Sequence, residues 1–359
     1  MTNNKIKALI VDDSAFMRKS ISLMLGSDPD IEIIGTAKDG LEGYEMAQKL
    51  KPDVITLDIE MPRMDGLTAL EKIMKDCPTS VIMVSSLTTE GAESTIKALE
   101  LGAVDFIPKE MSFVSVNIVK IKEDLIRKVK ALVRQRFLRK RLSSIKKPGA
   151  ASDATEIKQK RAAKNNLPKI GYKAIALGIS TGGPLSLQKV IPQINQSLKI
   201  PMFIVQHMPP KFTKSLADRL NNLSGVTVKE AEDGETVKGG TVYIAPGGFH
   251  MTLTKAGKGE QTIKINEEPS STLHRPSVDI MMNSVVETYG KSTMGVIMTG
   301  MGRDGLEGVK KLKGLGGYAL AQDEESCVVY GMPRAIVDAD LADVISPLEK
   351  IANVINSAL

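Results

Sequence analysis

Cysteine is scarce in this chain, which has only Cys77 and Cys327 among 359 residues. A pair so far apart suggests neither a disulfide framework nor a metal knuckle. Long apolar runs are missing too: none approaches the roughly 18 to 20 residues that span a bilayer. The opening MTNNKIKALIVDDS lacks the layout of a signal peptide. The expectation is a cytoplasmic protein with reduced cysteines and no direct membrane insertion. Histidine is the third scarcity. With only His207, His250 and His274 present, a search for an imidazole base has three candidates.

What is present is ordinary globular composition, 42% hydrophobic and 25% charged, in a length that suggests two domains. The net charge of +6 is unevenly spread. Much of the lysine and arginine lies between Arg134 and Lys169, in RQRFLRKRLSSIKKPGAASDATEIKQKRAAKNNLPK. Such a stretch reads as a solvated basic linker; a nucleic-acid contact is the alternative. The organisation expected is a domain over residues 4–125, a helical and basic flexible linker over 126–168, and a second domain over 169–359.

Before the linker, short apolar runs alternate with amphipathic ones. KALIVDD and DVITLDIEMP end in acids, TSVIMVSS in hydroxyls and AVDFIPK in a lysine, with helix-like SAFMRKSISLMLGS and GLEGYEMAQKL between them. This βαβ rhythm predicts an α/β fold with a parallel, doubly wound sheet whose strand ends converge in one crevice. Asp12, Asp13, Asp58, Ser85 and Lys109 would meet there. Crowded carboxylates persist most easily around a hard divalent cation, and Mg2+ fits. Asp58 could then attack a phosphoryl group, with Ser85 bonding the phosphoryl oxygen afterwards.

In their order, VDDS, LDIEMPRMDG, MVSS and DFIPK resemble the receiver domain of response regulators, a flavodoxin-like fold. The resemblance implies Asp58 as phosphoacceptor, Asp12, Asp13 and Asp58 with the Glu60 backbone carbonyl as Mg2+ ligands, Ser85 as switch hydroxyl with Ser86 as the fallback, and Lys109 as the phosphate-contacting lysine. One departure is visible. The family usually has proline directly after this lysine, where this chain has Glu110.

After the linker the βα rhythm resumes. KAIALGIS runs into Ser180, IPMFIVQH into His207, and MGVIMTGMGRD reaches Asp304 just past its strand. If these strands are parallel neighbours, a hydroxyl, an imidazole and a carboxylate meet at one sheet edge, the set a serine nucleophile needs. GISTGGP, residues 178–184, itself reads two ways: as a G-x-S-x-G nucleophile turn or as a phosphate-cradling loop. It lacks the G-x-x-x-x-G-K-[ST] spacing, which favours the first. A second ordering, Ser180 with Asp233 and His274, has weaker strand support. His250 and His274 otherwise read as substrate contacts or surface imidazoles.

Together GISTGGP, IVQHMPPKFTKSLADRLN, VYIAPGGFHM, HRPSVD, IMTGMGRDG and AQDEESCVVYGMPRAI resemble the Rossmann-like catalytic domain of bacterial chemotaxis protein-glutamate methylesterases. The resemblance implies Ser180, His207 and Asp304 as catalytic triad, the Met301 N–H as oxyanion donor, and Thr181 and Arg275 as substrate contacts, with no cofactor for the ester hydrolysis. It also implies methyl-accepting chemoreceptors as substrate, hydrolysed to glutamate and methanol or, from glutamine, deamidated with release of ammonia. A histidine kinase would be the phosphodonor, with no nucleic acid as partner, and the receiver would cover the cleft until phosphorylated. A phosphorylation-regulated esterase of a small molecule is the other reading the same residues allow.

Overall fold

Of the five strands that form in the first half, four are buried along most of their length, as expected where helices cover both faces of a sheet, while the second, Ile31–Ala37 at the sheet edge, is only partly buried. The computed structural model describes residues 5–109, 117–145, 166–255 and 260–359, and the chain divides into two units between Leu142 and Ser143. In the first unit β1 (Ile6–Val11), β2 (Ile31–Ala37), β3 (Val54–Asp58), β4 (Ser80–Ser85) and β5 (Asp105–Pro108) form one sheet ordered β2-β1-β3-β4-β5. Every neighbouring pair is parallel. This is the flavodoxin-like order, whose switch point between β1 and β3 opens a crevice at the strand carboxyl ends.

The first four helices of this unit begin on side-chain caps. Ser14 accepts the Met17 N–H before α1 (Ala15–Gly26), and Asp39 accepts that of Glu42 before α2 (Gly40–Leu50). Asp65 accepts that of Thr68 before α3 (Gly66–Asp76), and Thr88 that of Gly91 before α4 (Thr89–Glu100). Each cap satisfies an orphan donor and stops the strand-to-helix turn at a defined residue.

Helix α5 (Asn117–Ile145) runs through the expected boundary at residue 125, and the first unit extends to Leu142. The reason is packing. Leu125, Val129, Leu132 and Val133 recur at helical spacing and are buried, while Lys128 donates to the Phe106 carbonyl and pairs with Asp105 of β5 at 3.1 Å. Part of the basic stretch is therefore helix with a packed face. Residues 146–165 of the expected linker lie outside the described residues.

In the second unit β6 (Ala174–Ile179), β7 (Met202–Gln206), β8 (Thr227–Glu230), β9 (Thr241–Ile244), β12 (Thr293–Ile297), β13 (Tyr318–Gln322) and β14 (Val344–Ser346) form a seven-stranded sheet ordered β14-β13-β12-β6-β7-β9-β8. All its pairs are parallel. The chain winds from β6 to one side and returns to the other, so the switch point lies at β6. Its helices are α6 (Gly183–Val190), α7 (Phe212–Leu223), α8 (Val278–Tyr289), α9 (Leu306–Gly314), α10 (Met332–Asp338) and α11 (Leu348–Ala358). An antiparallel hairpin, β10 (His250–Lys255) with β11 (Gln261–Asn266), stands outside the sheet and sends Met251, Leu253 and Ile263 into the core.

Five of the six helices described in this unit start with no side-chain cap, and at three of them the residue before the helix is glycine. Gly182, Gly305 and Gly331 precede α6, α9 and α10. Gly182 and Gly305 have φ of 75° and 97°, which only glycine adopts without strain. Gly178, in β6, is needed for a different reason, since a Cβ there would overlap the Val278 side chain of α8. Gly178→Ala should cost about 1–3 kcal/mol of stability through overpacking, and Val278→Ala in the same chain should recover part of it, read as a non-additive double-mutant cycle in thermal unfolding.

Candidate active site

The register of the large sheet brings the expected residues of the second half to one edge. Ile179 of β6 lies opposite Gln206 of β7, so Ser180 and His207 are the next residues along two adjacent parallel strands. On the other flank Gly178 pairs with Ile297 of β12. The chain after β12 passes alongside Ser180, whose N–H donates to the Thr299 carbonyl at 2.9 Å, and then turns to Asp304.

His207 Nε2 is 2.8 Å from Asp304 Oδ2. Asp304 is in turn held by the start of α8: its carboxylate accepts from Ser277 Oγ at 3.0 Å, the Val278 N–H at 2.8 Å and the Asp279 N–H at 2.9 Å. The Gly305 N–H adds a fourth protein donor besides the imidazole, at 3.1 Å. Burial works against the charge of Asp304, but the His207 hydrogen bond and charge and the backbone N–H groups outweigh it, and the carboxyl lies well below the usual range. A helix N-terminus favours an anion for the same reason.

With Nε2 committed to Asp304, the other ring nitrogen of His207 faces elsewhere. Nδ1 is buried and has no hydrogen-bond partner among the described residues, and no hydrogen bond joins it to the Ser180 hydroxyl. The ring of His274 stacks on that of His207, with centroids 4.1 Å apart and planes at 20°. His274 is thus no remote surface imidazole, while Asp233 is exposed and accepts the Ile265 N–H. His250 is no surface group either. It is fully buried, accepts the Ser277 N–H at Nδ1 and meets Thr272 at Nε2, so it braces the cap of α8.

Around Ser180 the fit is close. A Cβ on Gly300 would come within 2.8 Å of Ser180 Cβ. The Gly300 carbonyl accepts the N–H groups of Gly331 and Met332 at the start of α10, which fixes the turn carrying Met301. The Met301 N–H has no acceptor among the described residues. Thr181 is buried, its carbonyl accepting from Thr299 Oγ1 at 3.0 Å. Arg275 is exposed and pairs with Glu267 at 3.0 Å.

Residues Gly300 to Gly305 also spell G-x-G-x-x-G between a strand and a helix, the arrangement that holds a pyrophosphate in dinucleotide sites. Here the donors at the head of α9 are already taken: Gly305 N–H by Asp304, and Gly308 N–H by Asp279 Oδ1 at 2.8 Å. Two carboxylates stand where a phosphate would. Burial, countered by the Gly308 N–H and reinforced by the charge of Asp304, pushes Asp279 up to about 6. Sequence reasoning did not single out Asp279, Ser277 or Thr299, because their roles run through backbone groups that leave no residue pattern.

The acidic crevice of the first unit also assembles. Carboxylate oxygens of Asp12, Asp13 and Asp58 lie within 4.8 Å of one another, and Lys109 Nζ is 2.7 Å from Asp58. Asp12 Oδ1 accepts the Ser14 N–H, while its Oδ2 is buried with no partner among the described residues. An orphaned carboxylate oxygen beside two more carboxylates suits a hard cation that binds through oxygen. The Glu60 N–H donates to Asp58 Oδ1 at 3.3 Å. Ser85 does not join the cluster's hydrogen bonds. Its buried hydroxyl meets the Gly91 carbonyl at 3.1 Å and accepts from Thr95 Oγ1 at 2.7 Å, both on α4. Ser86 meets Thr88 at 3.2 Å. Glu110 lies outside the described residues.

Burial raises Asp58 to about 6; the Lys109 hydrogen bond opposes this and the charge of Asp12 adds to it. Its folded value exceeds that of an unfolded aspartate, so stability falls as pH rises through that window and the ionised carboxylate is a cost at neutrality. In metal-free buffer Asp58→Asn should stabilise the first unit by roughly 1–3 kcal/mol at about pH 7.5, and the gain should vanish near about pH 4. Denaturant unfolding at the two pH values measures it.

Residues 175–355 match the family model described as CheB methylesterase, and residues 8–117 that described as response regulator receiver domain. A Pyrococcus abyssi protein named protein-glutamate methylesterase/protein-glutamine glutaminase is 46% identical, covering 100% of this chain and 95% of that one. A relative of the same activity name from Oleidesulfovibrio alaskensis is 48% identical, covering 99% of both. The crystal structure of the Thermotoga maritima CheB methylesterase catalytic domain is 44% identical, covering 53% of this chain and 100% of that one, at a TM-score of 0.51.

Proposed function

The chain belongs to the CheB methylesterase family and carries a response-regulator receiver domain; on that premise we propose that Ser180, His207 and Asp304 are the catalytic triad of a phosphorylation-regulated protein-glutamate methylesterase and protein-glutamine glutaminase. The observation that carries this reading is the 2.8 Å contact of His207 Nε2 with an Asp304 held ionised at a helix N-terminus, His207 and Ser180 being the residues that follow two paired strands.

Asp304 fixes the imidazole so that Nε2 carries a proton and Nδ1 is free to accept one. His207 Nδ1 takes the proton of Ser180 as its Oγ attacks the ester carbonyl of a methylated glutamate on a chemoreceptor. A tetrahedral oxyanion forms, and the Met301 N–H donates to it. As the C–O bond breaks, His207 returns the proton to the leaving methoxide and methanol departs. Water, deprotonated by the same nitrogen, then attacks the acyl-enzyme, and the proton goes back to Ser180 Oγ as glutamate is released. A glutamine side chain follows the same course with ammonia leaving. Thr181 and Arg275 flank this site as substrate contacts.

Each turnover on an ester converts a neutral side chain into a carboxylate, which increases repulsion within a helical receptor. Regulation enters through the first unit. Asp12, Asp13, Asp58 and the Glu60 carbonyl would hold Mg2+, which supplies charge neutralisation for phosphoryl transfer from a histidine kinase to Asp58. Lys109 adds positive charge at the acceptor oxygen. Ser85, to bond the phosphoryl group, must exchange its partners on α4.

Ser180→Ala and His207→Gln should each lower methanol release from methylated receptor by about 10^3-fold or more, whereas Asp304→Asn, which disturbs the tautomer, should cost about 10^4-fold. Activity retained by Ser180→Ala would defeat the triad. Asp58→Asn should leave basal hydrolysis in place and abolish its stimulation by a phosphodonor with Mg2+, measured as the ratio of rates with and without the donor.

A further inference from the structure

Gln206 is the last residue of β7, almost wholly buried, and immediately precedes His207. A polar side chain at a buried strand end needs partners. Gln206 finds them in two carbonyls: Nε2 donates to Ser180 O at 3.0 Å and to His207 O at 3.2 Å. These belong to the nucleophile and the base of the proposed triad. One amide nitrogen therefore ties together the backbones of the two residues that exchange the proton.

The opposite end of the amide supports the same orientation. Gln206 Oε1 is buried with no partner among the described residues, and lies against Gly183, where a Cβ would overlap it. Turning the amide over would set its oxygen against two carbonyl oxygens. Gly183 is not among the residues with positive φ, so its lack of a side chain answers to space, namely the room Gln206 needs beside Ser180. The Ser180 carbonyl also accepts the Gly183 N–H at 2.8 Å, and the Ser180 N–H is held by Thr299. The nucleophile's backbone is thus fixed from three elements, of which only Gln206 also holds the base.

We propose that Gln206 is a positioning residue, whose side-chain amide sets the spacing between Ser180 and His207 by bonding the carbonyls of both, and that Gly183 is glycine to admit it. The inference rests on the reading of Ser180 and His207 as nucleophile and base. Gln206 is almost wholly buried and spends its amide nitrogen on two backbone carbonyls. Its loss should therefore act on the chemical step and leave receptor binding alone.

The test is kcat and KM for methanol release from methylated receptor, with the full chain, for Gln206→Met, Gly183→Ala, Gln206→Ala and the double Gln206→Ala/Gly183→Ala. Gln206→Met keeps the length and removes the donor. It should lower kcat on the order of tenfold to 100-fold, the scale expected of a slight misplacement of reacting groups, with KM within about twofold of wild type. Gly183→Ala, which displaces the amide without altering it, should do the same, and added to Gln206→Ala it should cost no more, because the clash is gone. Unchanged kcat in folded Gln206→Met and Gly183→Ala, or a loss carried by KM, would overturn the inference. Ser180→Ala runs alongside: if that variant keeps its activity, it is the triad that fails, and the effect of Gln206 on rate is read separately from it.

Discussion

The second unit is organised around one buried anion. Asp304 takes hydrogen bonds from an imidazole, a hydroxyl and three backbone N–H groups. Without such donors burial would raise the carboxyl, and here they outweigh it. Much nearby structure serves that end. Ser277 caps α8 and bonds Asp304, His250 is buried to hold the Ser277 N–H, and Gly178 is bare so that Val278 can pack against β6. The helix start, the sheet edge and the imidazole orientation are one arrangement.

The same chain treats a second carboxylate in the opposite way. Asp58 is also buried at a strand end, but its neighbours are Asp12 and Asp13, and one lysine offsets only part of their repulsion. Its carboxyl is pushed up where that of Asp304 is pushed down. Each environment suits a different task. A carboxylate met by an imidazole, a hydroxyl and three backbone N–H groups stays ionised, whereas an acidic crevice short of cations suits a hard metal ion. Helix starts follow the same division. In the first unit those of α1 to α4 are closed by serine, threonine and aspartate side chains, while around Ser180 and Asp304 three begin on glycine.

Both sheets and the strand-end positions of Asp12, Asp58, Lys109, Ser180 and His207 were legible in the sequence, because a buried parallel strand must be apolar and its first polar residue marks its end. The hairpin β10–β11 was not, since it interrupts a βα rhythm with alternation that only its packing explains. A helical linker is expected from residue 126, but the many charges of α5 mask the buried stripe from Leu125 to Val133 that packs it into the first unit. Ser85 stood at the expected strand end, but nothing in MVSS reveals that its hydroxyl is held by Thr95 and Gly91.

What the sequence determined by itself was which residues stand at strand ends and, through six ordered motifs, the family. That follows from patterning, which is local and repeats along the chain. Only the tertiary structure decided which ring nitrogen of His207 faces Asp304, that His274 stacks on it, that Asp279 and Asp304 occupy the helix start a dinucleotide would need, and that Gln206 joins two carbonyls. These are relations among backbone groups and ring faces distant in sequence, and side-chain order carries no record of where an N–H or a carbonyl will point.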